Sequence, residues 1–267
     1  MTSIETTPLA GLPLLLVKGR TRVLVAADLH LGIEHELWLG GASIPSQTGR
    51  ILGRLLEAID EVRPDRLLLL GDIKHNVPRT SWQERKEVPS FIEALAERVS
   101  VDVVPGNHDG GISDLIPPGT SLHPASGILR EGVAYFHGHT WPHPSLLGAE
   151  VLVAGHIHPA IRLTDALGCS TNQRAWIRAP LSIGALGEDF PGERPELILV
   201  PAFNDLCGGL PLNSRQEEDR GPIPALANLE AGRIYLLDGT DLGDLEGIIA
   251  CGRGGGGFRK RLNSRGR

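Results

Sequence analysis

Residues 99–111 read VSVDVVPGNHDGG, and this stretch passes from an apolar run into a short polar loop. The run at 99–104 has the composition of a buried strand. A Pro-Gly turn follows, after which Asn107, His108 and Asp109 place an amide, an imidazole and a carboxylate on successive residues. We therefore expect a strand that ends in a loop with the side chains of a binding or catalytic site.

The same pattern, an apolar run followed by a polar motif, occurs at four other places in the chain. These motifs are Asp28-Leu29-His30, Gly71-Asp72, His137-Gly138-His139 and Gly155-His156-Ile157-His158. In open α/β sheets, ligands bind at the carboxyl ends of the strands. The motifs in the first half of the chain should therefore converge on one edge of a sheet.

The first hundred residues predict the element order β-β-α-β-α-β, and the rest of the chain predicts short strands with turns. The predicted elements of the first part are a hairpin of 12–17 and 22–27, a helix at 46–62, a strand at 67–70, a helix at 81–98 that restarts near Pro89, and the strand at 99–104. Residues 201–224 are interpreted as a long loop. We expect one domain over 1–250 and a Gly/Arg-rich disordered tail at 251–267.

Composition places the chain among ordinary globular proteins, with 41% hydrophobic and 22% charged residues. The net charge is −6, but the last seventeen residues hold six basic residues and no acid, which leaves −12 on residues 1–250. Three widely spaced cysteines argue against a disulfide framework, and no apolar run has the length of a membrane span. These features predict a cytoplasmic protein without a membrane partner.

The polar motifs together supply a candidate set of metal ligands, which are Asp28, His30, Asp72, Asn107, His137, His156 and His158. Carboxylate, amide and imidazole ligands without thiolate suit manganese, iron or zinc better than calcium. Seven ligands are too many for one tetrahedral ion but fit two ions that share a carboxylate. Two divalent ions about 3.5–4 Å apart can bind the attacking and leaving oxygens of a phosphoryl transfer.

The remaining polar residues of these motifs have predicted roles beside the metals. His108 would face the site without being a ligand and would protonate the leaving alkoxide, and Asp109 would orient or charge its ring. His75 and His139 are predicted to support ligands or to contact substrate. Two ions and two carboxylates would leave the site at about +2, which favours a phosphate ester over a neutral substrate.

Each motif alone has a simpler explanation. An isolated Asp-x-His is usually a turn, Gly-Asp after a strand is usually a cap, and a lone Gly-His-x-His is a modest metal signal. The ordered series of five motifs, each after an apolar strand, favours the metal site, because the simpler explanation must account for each motif separately.

The five motifs resemble the ordered motifs of the calcineurin-like metallophosphoesterases and span residues 28–158. This resemblance implies a four-layer α-β-β-α sandwich of two mixed sheets. It also implies that the first metal is held by Asp28, His30, Asp72 and His158, and that the second is held by Asp72, Asn107, His137 and His156. Asp72 would bridge the two ions, and His108 would be the general acid.

A narrower resemblance links this chain to the archaeal phosphoesterases related to the nuclease subunit SbcD/Mre11 and to ligase-associated phosphoesterases. It rests on ADLHLGIEHELWLGGASIP (27–45), GDIKH (71–75), HGHTWP (137–142) and PAFNDLCGG (201–209). The chain has no room for the capping and dimerisation regions of full Mre11-type nucleases. It also lacks the Asp-Arg-Gly continuation of protein serine/threonine phosphatases, because the motif here reads Gly71-Asp72-Ile73.

The resulting hypothesis is a binuclear metallophosphoesterase that hydrolyses phosphodiesters of nucleic acids or nucleotides by attack of a metal-bound hydroxide. Manganese is the expected metal, with iron or zinc as alternatives. A phosphomonoesterase or small-nucleotide hydrolase is the alternative enzyme, and a non-catalytic metal-binding scaffold is the alternative from another class. The sequence leaves the physiological substrate and the oligomeric state open.

Overall fold

A computed structural model describes residues 3–165, 167–186, 195–214 and 220–253. A first sheet contains six strands in the order β1-β2-β3-β4-β5-β6. Their bounds are β1 (Glu5–Pro8), β2 (Leu14–Lys18), β3 (Arg22–Ala26), β4 (Arg66–Leu70), β5 (Ser100–Val104) and β6 (Ser121–Leu122). The sheet is mixed: β1, β2 and β3 are antiparallel neighbours, whereas β3, β4, β5 and β6 run parallel.

A second mixed sheet is built from the later part of the chain. Its main path is β13-β10-β11-β12-β9-β8-β7, and β14 pairs with both β11 and β15. The bounds are β7 (Ile128–Arg130), β8 (Val133–Tyr135), β9 (Val151–Ala154), β10 (Pro159–Thr164), β11 (Ser170–Pro180), β12 (Glu196–Leu199), β13 (Leu210–Pro211), β14 (Arg233–Leu236) and β15 (Asp241–Asp244). Strands β8 and β9 are parallel, so the loops that follow them leave the same edge.

Helices cover the outer faces of the sheets. The α-helices are α1 (Ile33–Leu39), α2 (Thr48–Val62), α3 (Trp82–Ala96), α4 (Ile183–Leu186), α5 (Ile223–Leu226) and α6 (Leu245–Arg253), and short 3-10 helices occupy Ile112–Asp114, Pro144–Gly148 and Asp205–Cys207. A capping box begins α3, since the Ser81 hydroxyl accepts from the Glu84 amide and the Glu84 carboxylate accepts from the Ser81 amide. No helix in the described ranges has the length and apolar character needed to cross a membrane.

Three apolar clusters separate the layers. The first packs α2 and α3 against one face of the first sheet, as in the contact group of Leu55, Phe91 and Leu69. The second fills the space between the sheets and includes Val25, Leu68, Val153, Trp176 and Ile198. The third covers the outer face of the second sheet with residues of α5 and α6, among them Ile223, Leu226, Leu245 and Ile248. The predicted four-layer α-β-β-α architecture is therefore confirmed.

Several predicted elements differ from the structure. Helix α3 does not restart at Pro89; it runs unbroken, because burial of Val88, Phe91 and Ile92 against the sheet outweighs the loss of one backbone hydrogen bond. Strand β1 and helix α1 were not predicted.

Two segments in the second half of the chain also differ from the prediction. Residues 201–224 were predicted as a long loop, but their described part contains a 3-10 helix, β13 and the beginning of α5. Helix α6 extends three residues into the segment predicted as a tail, and the rest of that segment, 254–267, lies outside the described residues.

Candidate metal centre

The predicted ligands lie in loops at the carboxyl ends of five strands. Asp28 follows β3 by two residues and Asp72 follows β4 by two residues. His137 and His156 stand at the same distance after β8 and β9 in the second sheet. Cross-sheet contacts join the two edges, since the His156 amide lies 3.2 Å from Asp28 Oδ2 and His137 Nδ1 lies 3.0 Å from the Leu70 carbonyl.

Backbone strain is concentrated at these positions. Five candidate ligands have a positive φ, and they are Asp28 (57°), His30 (42°), Asp72 (51°), His156 (70°) and His158 (42°). L-residues other than glycine rarely adopt this left-handed conformation, and such strain persists where a functional site needs it. The loops thus hold these side chains at a cost in backbone energy.

Four side chains form the first ligand group, Asp28, His30, Asp72 and His158, whose nearest ligand atoms all lie within 4.8 Å of one another. His158 Nε2 is 3.3 Å from Asp28 Oδ1, and His30 Nε2 is 3.6 Å from Asp72 Oδ2. The two imidazole nitrogens, His30 Nε2 and His158 Nε2, are 3.3 Å apart. This group coincides with the set that the family resemblance implies for one metal.

Three side chains form the second group, Asp72, His137 and His156, under the same 4.8 Å limit. His137 is fully buried, and its Nε2 atom is 3.3 Å from Asp72 Oδ2. Asp72 belongs to both groups, as a bridging carboxylate requires. Asn107, the predicted fourth ligand here, is exposed, and it lies between two residues that contact Asp72.

The Asp72 loop is held by close backbone approaches. The His108 amide donates to Asp72 Oδ1 at 2.8 Å. A Cβ at Gly106 would lie 2.2 Å from the same oxygen, and a Cβ at Gly71 would lie 2.1 Å from His137 Nδ1. Glycine at both positions lets the two loops meet around the carboxylate.

His108 lies beside the first ligand group, and the structure corrects the predicted role of its neighbour. His108 Nδ1 hydrogen-bonds the His75 carbonyl, and its ring is 4.8 Å from that of His30 between centroids. Asp109 does not orient this ring, because its Oδ1 accepts from the Ile73 amide at 2.9 Å and its Oδ2 accepts from the Gly106 amide at 2.8 Å. The buried Asp109 carboxylate instead ties the loop after β5 to the loop after β4.

His75 and His139 occupy the surroundings of the two groups. His75 Nδ1 is 3.1 Å from His30 Nδ1, and its Nε2 atom is 2.5 Å from Glu36 Oε2 on α1. His139 lies with its ring 5.3 Å from His137 and 6.1 Å from His156. Both predicted neighbours of the site therefore adjoin candidate ligands.

Burial and mutual charge shift the pKa values of the site strongly. Burial lowers the pKa of His30 to about 3 and, together with His137, lowers that of His156 to about 4. Burial also opposes charge on His137, but Asp72 and Asp28 outweigh it and raise its pKa to about 9. Burial and the Asp72 charge raise the pKa of Asp109 to about 6. Clusters of opposed shifts are typical of functional sites.

The donor set fits divalent metal ions. Buried polar atoms normally have partners, yet in the described part of the chain His156 Nε2 is buried without a hydrogen bond. A metal would satisfy that nitrogen and would neutralise the buried pair of carboxylates on Asp28 and Asp72. The observed residues are thus of the types, and within the distances, that a carboxylate-imidazole metal site needs.

Two residues near the site, Cys207 and Asn204, were missed by sequence reasoning. Cys207 Sγ lies within 4.8 Å of ligand nitrogens on His30 and His158. Asn204 is fully buried, and its Nδ2 atom donates to the carbonyls of Leu29 at 2.9 Å and His30 at 3.4 Å. The PAFNDLCGG stretch was the available signal, but only the folded chain brings it beside the β3 loop.

Comparisons with solved structures found proteins similar to this chain. The structure resembles the crystal structure of Pseudomonas putida nuclease MPE, with a TM-score of 0.51 and 20% identity over 88% of this chain and 96% of that one. Yfce, a phosphoesterase from E. coli, scores 0.38 with 17% identity over 83% of this chain and 96% of that one. No curated protein matches the sequence.

A family comparison extends over more than half of the chain. The calcineurin-like phosphoesterase family matches residues 21–160, a range that contains all five motifs and every candidate ligand. The chain therefore belongs to the calcineurin-like phosphoesterase family and is a metal-dependent hydrolase of phosphate esters.

Proposed function

We propose that this protein is a binuclear phosphodiesterase that acts on nucleic acids or nucleotides. The observation that carries the proposal is the pair of ligand groups that share Asp72. The first ion would be held by Asp28, His30, Asp72 and His158, and the second by Asp72, Asn107, His137 and His156. Such ions, with manganese expected, would supply an activated water and positive charge for the phosphate oxygens.

The protein's own residues would orient the substrate and move a proton. His108 is the proposed general acid for the leaving oxygen. The hydrogen bond from its Nδ1 to the His75 carbonyl supports this role, because it fixes the ring and leaves Nε2, which has no hydrogen bond to another described residue, for the substrate. Asp109 is proposed to act as a loop tie rather than as a partner of His108.

Exposed tryptophans favour a nucleic acid over a small monoester. Three of the four tryptophans are exposed, namely Trp38 (61%), Trp82 (77%) and Trp141 (57%). Trp38 lies on α1, which contacts His75 through Glu36, and Trp141 follows His139 by two residues. Aromatic side chains at such positions stack on unpaired bases, at about 1–3 kcal/mol per base.

The proposal also covers the subfamily, the cellular compartment and the domain bounds of this protein. The PAFNDLCGG stretch docks on the Asp28 loop, which supports the resemblance to SbcD/Mre11-related and ligase-associated phosphoesterases. The sparse cysteines support a cytoplasmic site of action. We further propose residues 1–250 as the catalytic domain and 251–267 as an appendage to it.

A turnover screen tests the proposal. The manganese-loaded protein should hydrolyse bis-nitrophenyl phosphate and oligonucleotides faster than nitrophenyl phosphate. His156→Ala should abolish this turnover, whereas His143→Ala, the same change at an exposed position, should leave it intact. Preference for the monoester would favour the phosphomonoesterase alternative, and absence of turnover on every ester would favour a metal-binding scaffold.

A further inference from the structure

A cavity of about 490 Å³ adjoins the candidate metal centre on the side of the second sheet. His156 and His158 line one part of it, and Arg162 and Asn172, on the β10–β11 hairpin, line another. The segment 207–211 completes the lining. This volume is typical of sites that hold a small organic ligand, and the mechanism proposed above uses none of its lining residues except the ligands His156 and His158.

Arg162 is the charged group of this cavity. Its side chain is exposed, and its Nε atom donates to Asn172 Oδ1 at 3.3 Å. Its backbone is held on both sides by Asn213, with N···Oδ1 and Nδ2···O distances of 2.9 Å. Arg162 is thus positioned by amides from two neighbouring segments.

Each of the other arginines on β11 has a carboxylate partner, although Asp205, the partner of Arg174, also pairs with Arg50 and Arg54. Arg174 pairs with Asp205 at 2.8 Å and Arg178 pairs with Glu196 at 2.6 Å. Within the described ranges, no carboxylate forms an ion pair with Arg162. An unpaired guanidinium that lines a polar cavity suits a phosphate, which it can bind through two parallel hydrogen bonds.

The position of Arg162 identifies which phosphate it would meet. Arg162 is four positions after His158 in the sequence, and at about 3.3 Å per residue of extended strand their Cα atoms stand roughly 13 Å apart. With this spacing, the phosphate that Arg162 would bind is a second one, separate from the phosphate at the metal ligands. A nucleotide attached to the scissile phosphate would bring its own far phosphate toward Arg162.

We propose that this cavity is a subsite for the nucleotide next to the scissile bond and that Arg162 binds the far phosphate of that nucleotide. Asn172 is the positioning residue that holds the guanidinium. The inference rests on the proposed phosphodiesterase function and adds to it a requirement: good substrates carry a second phosphate one nucleotide away from the bond that is cleaved.

Matched substrates test the requirement. Wild type and variants are assayed on a thymidine dinucleotide with and without a terminal phosphate, at the 5′ and at the 3′ end, and on bis-nitrophenyl phosphate. One of the two terminal phosphates should lower the KM of wild type about tenfold, as one charge-assisted contact allows. Arg162→Gln should lose this gain with kcat unchanged, and Arg162→Lys should keep part of it.

Two controls separate failure of the subsite from failure of the proposed function. Arg98→Gln removes the same charge just before β5, at the opposite end of the strand from the ligand loops, and should behave as wild type. Equilibrium binding of the phosphorylated dinucleotide to metal-free protein gives a readout without turnover, and wild type should bind more tightly than Arg162→Gln.

The subsite is overturned if bis-nitrophenyl phosphate is hydrolysed while neither terminal phosphate changes KM. It is equally overturned if Arg162→Gln impairs all substrates to the same degree, since that result would indicate a structural role. If no ester is hydrolysed, the proposed function fails, and the binding measurement decides alone: equal affinity in wild type and Arg162→Gln contradicts the subsite.

Discussion

Asp72 is the carboxylate that the two ligand groups share. Its carboxylate accepts the His108 amide at 2.8 Å, lies 3.3 Å from His137 Nε2 and lies 3.6 Å from His30 Nε2. Burial would raise its pKa, but His137 and His30 together hold that pKa well below the ordinary value. These contacts favour the carboxylate form of Asp72, which is the form that binds a metal.

The proposed role of His108 as general acid depends on one nitrogen of its ring. His108→Gln should retain both metals while turnover on alkyl esters falls about 10²- to 10⁴-fold, the usual cost of removing a general acid. Esters that release nitrophenolate should suffer less, since that leaving group needs little protonation. Metal analysis and kcat on the two kinds of ester check this. Equal losses on both esters, or loss of metal, would contradict the acid role.

At the scale of elements, parallel strands bring the ligand loops together. The segment that contains Phe203 and Asn204, distant in sequence, holds the loop after β3 in place. The Phe203 amide donates to the Ala27 carbonyl at 2.9 Å, and Asn204 binds the carbonyls of Leu29 and His30. Because Asp28 and His30 have left-handed backbones, these hydrogen bonds stabilise a conformation that the loop alone would not keep.

We therefore predict that Asn204→Ala weakens metal binding although it removes no ligand. Loss of such a supporting partner typically lowers metal affinity about 10- to 100-fold. Titration of manganese against metal-free protein measures the change. Asn228→Ala, at an asparagine whose Oδ1 accepts only from the Ala231 amide among the described residues, is the matched control. Unchanged affinity in Asn204→Ala would contradict the supporting role.

The strand ends and their polar motifs were predictable because both are local: an apolar run marks the strand, and the motif follows within three residues. The hydrogen-bond partners of the side chains in these motifs could not be predicted in the same way. Asp109 appeared suited to orient the adjacent His108, but the fold brings the amides of Ile73 and Lys74 to it instead. The role of Asn204 depends on contacts 174 and 175 residues apart in sequence, for which no local pattern exists.

Asp102 is an acidic residue inside the buried strand β5, and it connects the two sheets. It lies 3.2 Å from Arg66 Nη2 on β4, 2.7 Å from His123 Nε2 and 3.4 Å from Arg130 Nη2 on β7. Burial would raise its pKa, but the hydrogen bonds from Arg66 and His123 and the charge of Arg130 hold it below the ordinary value of 3.8.

The lowered pKa of Asp102 fixes the sign of its pH dependence. A carboxylate whose folded pKa is depressed stabilises the fold above the unfolded pKa, and this stabilisation disappears as pH falls through the folded pKa. Asp102→Asn should therefore lower the free energy of unfolding by about 2 kcal/mol at pH 7. The difference from wild type should shrink below about pH 4. Urea unfolding at several pH values measures it, and a difference that grows toward acid would contradict the assignment.

At the scale of the whole molecule, charge is divided between an acidic body and a basic end. Residues 1–250 carry −12, while residues 251–267 carry six basic groups and no acid. The simpler expectation is that the end is dispensable, and the functional one is that it holds nucleic acid through salt-sensitive phosphate contacts.

A truncation distinguishes these expectations. Because α6 extends to Arg253, the cut belongs after that residue, where it removes five basic residues and leaves the helix intact. If the tail holds nucleic acid, the truncated chain should bind oligonucleotides more weakly with a shallower salt dependence, while turnover of bis-nitrophenyl phosphate is unchanged. Fluorescence anisotropy at several salt concentrations measures this. Unchanged oligonucleotide affinity would exclude a role for the tail.

The metal content of the chain with and without the shared carboxylate tests the binuclear site most directly. Elemental analysis of manganese-loaded wild type should give two ions per chain, His158→Ala should lose mainly one, and Asp72→Asn should lose both. Asparagine tolerates the left-handed backbone at this position, so the variant should fold. Two ions retained in Asp72→Asn, or a single ion in wild type, would contradict a centre bridged by Asp72.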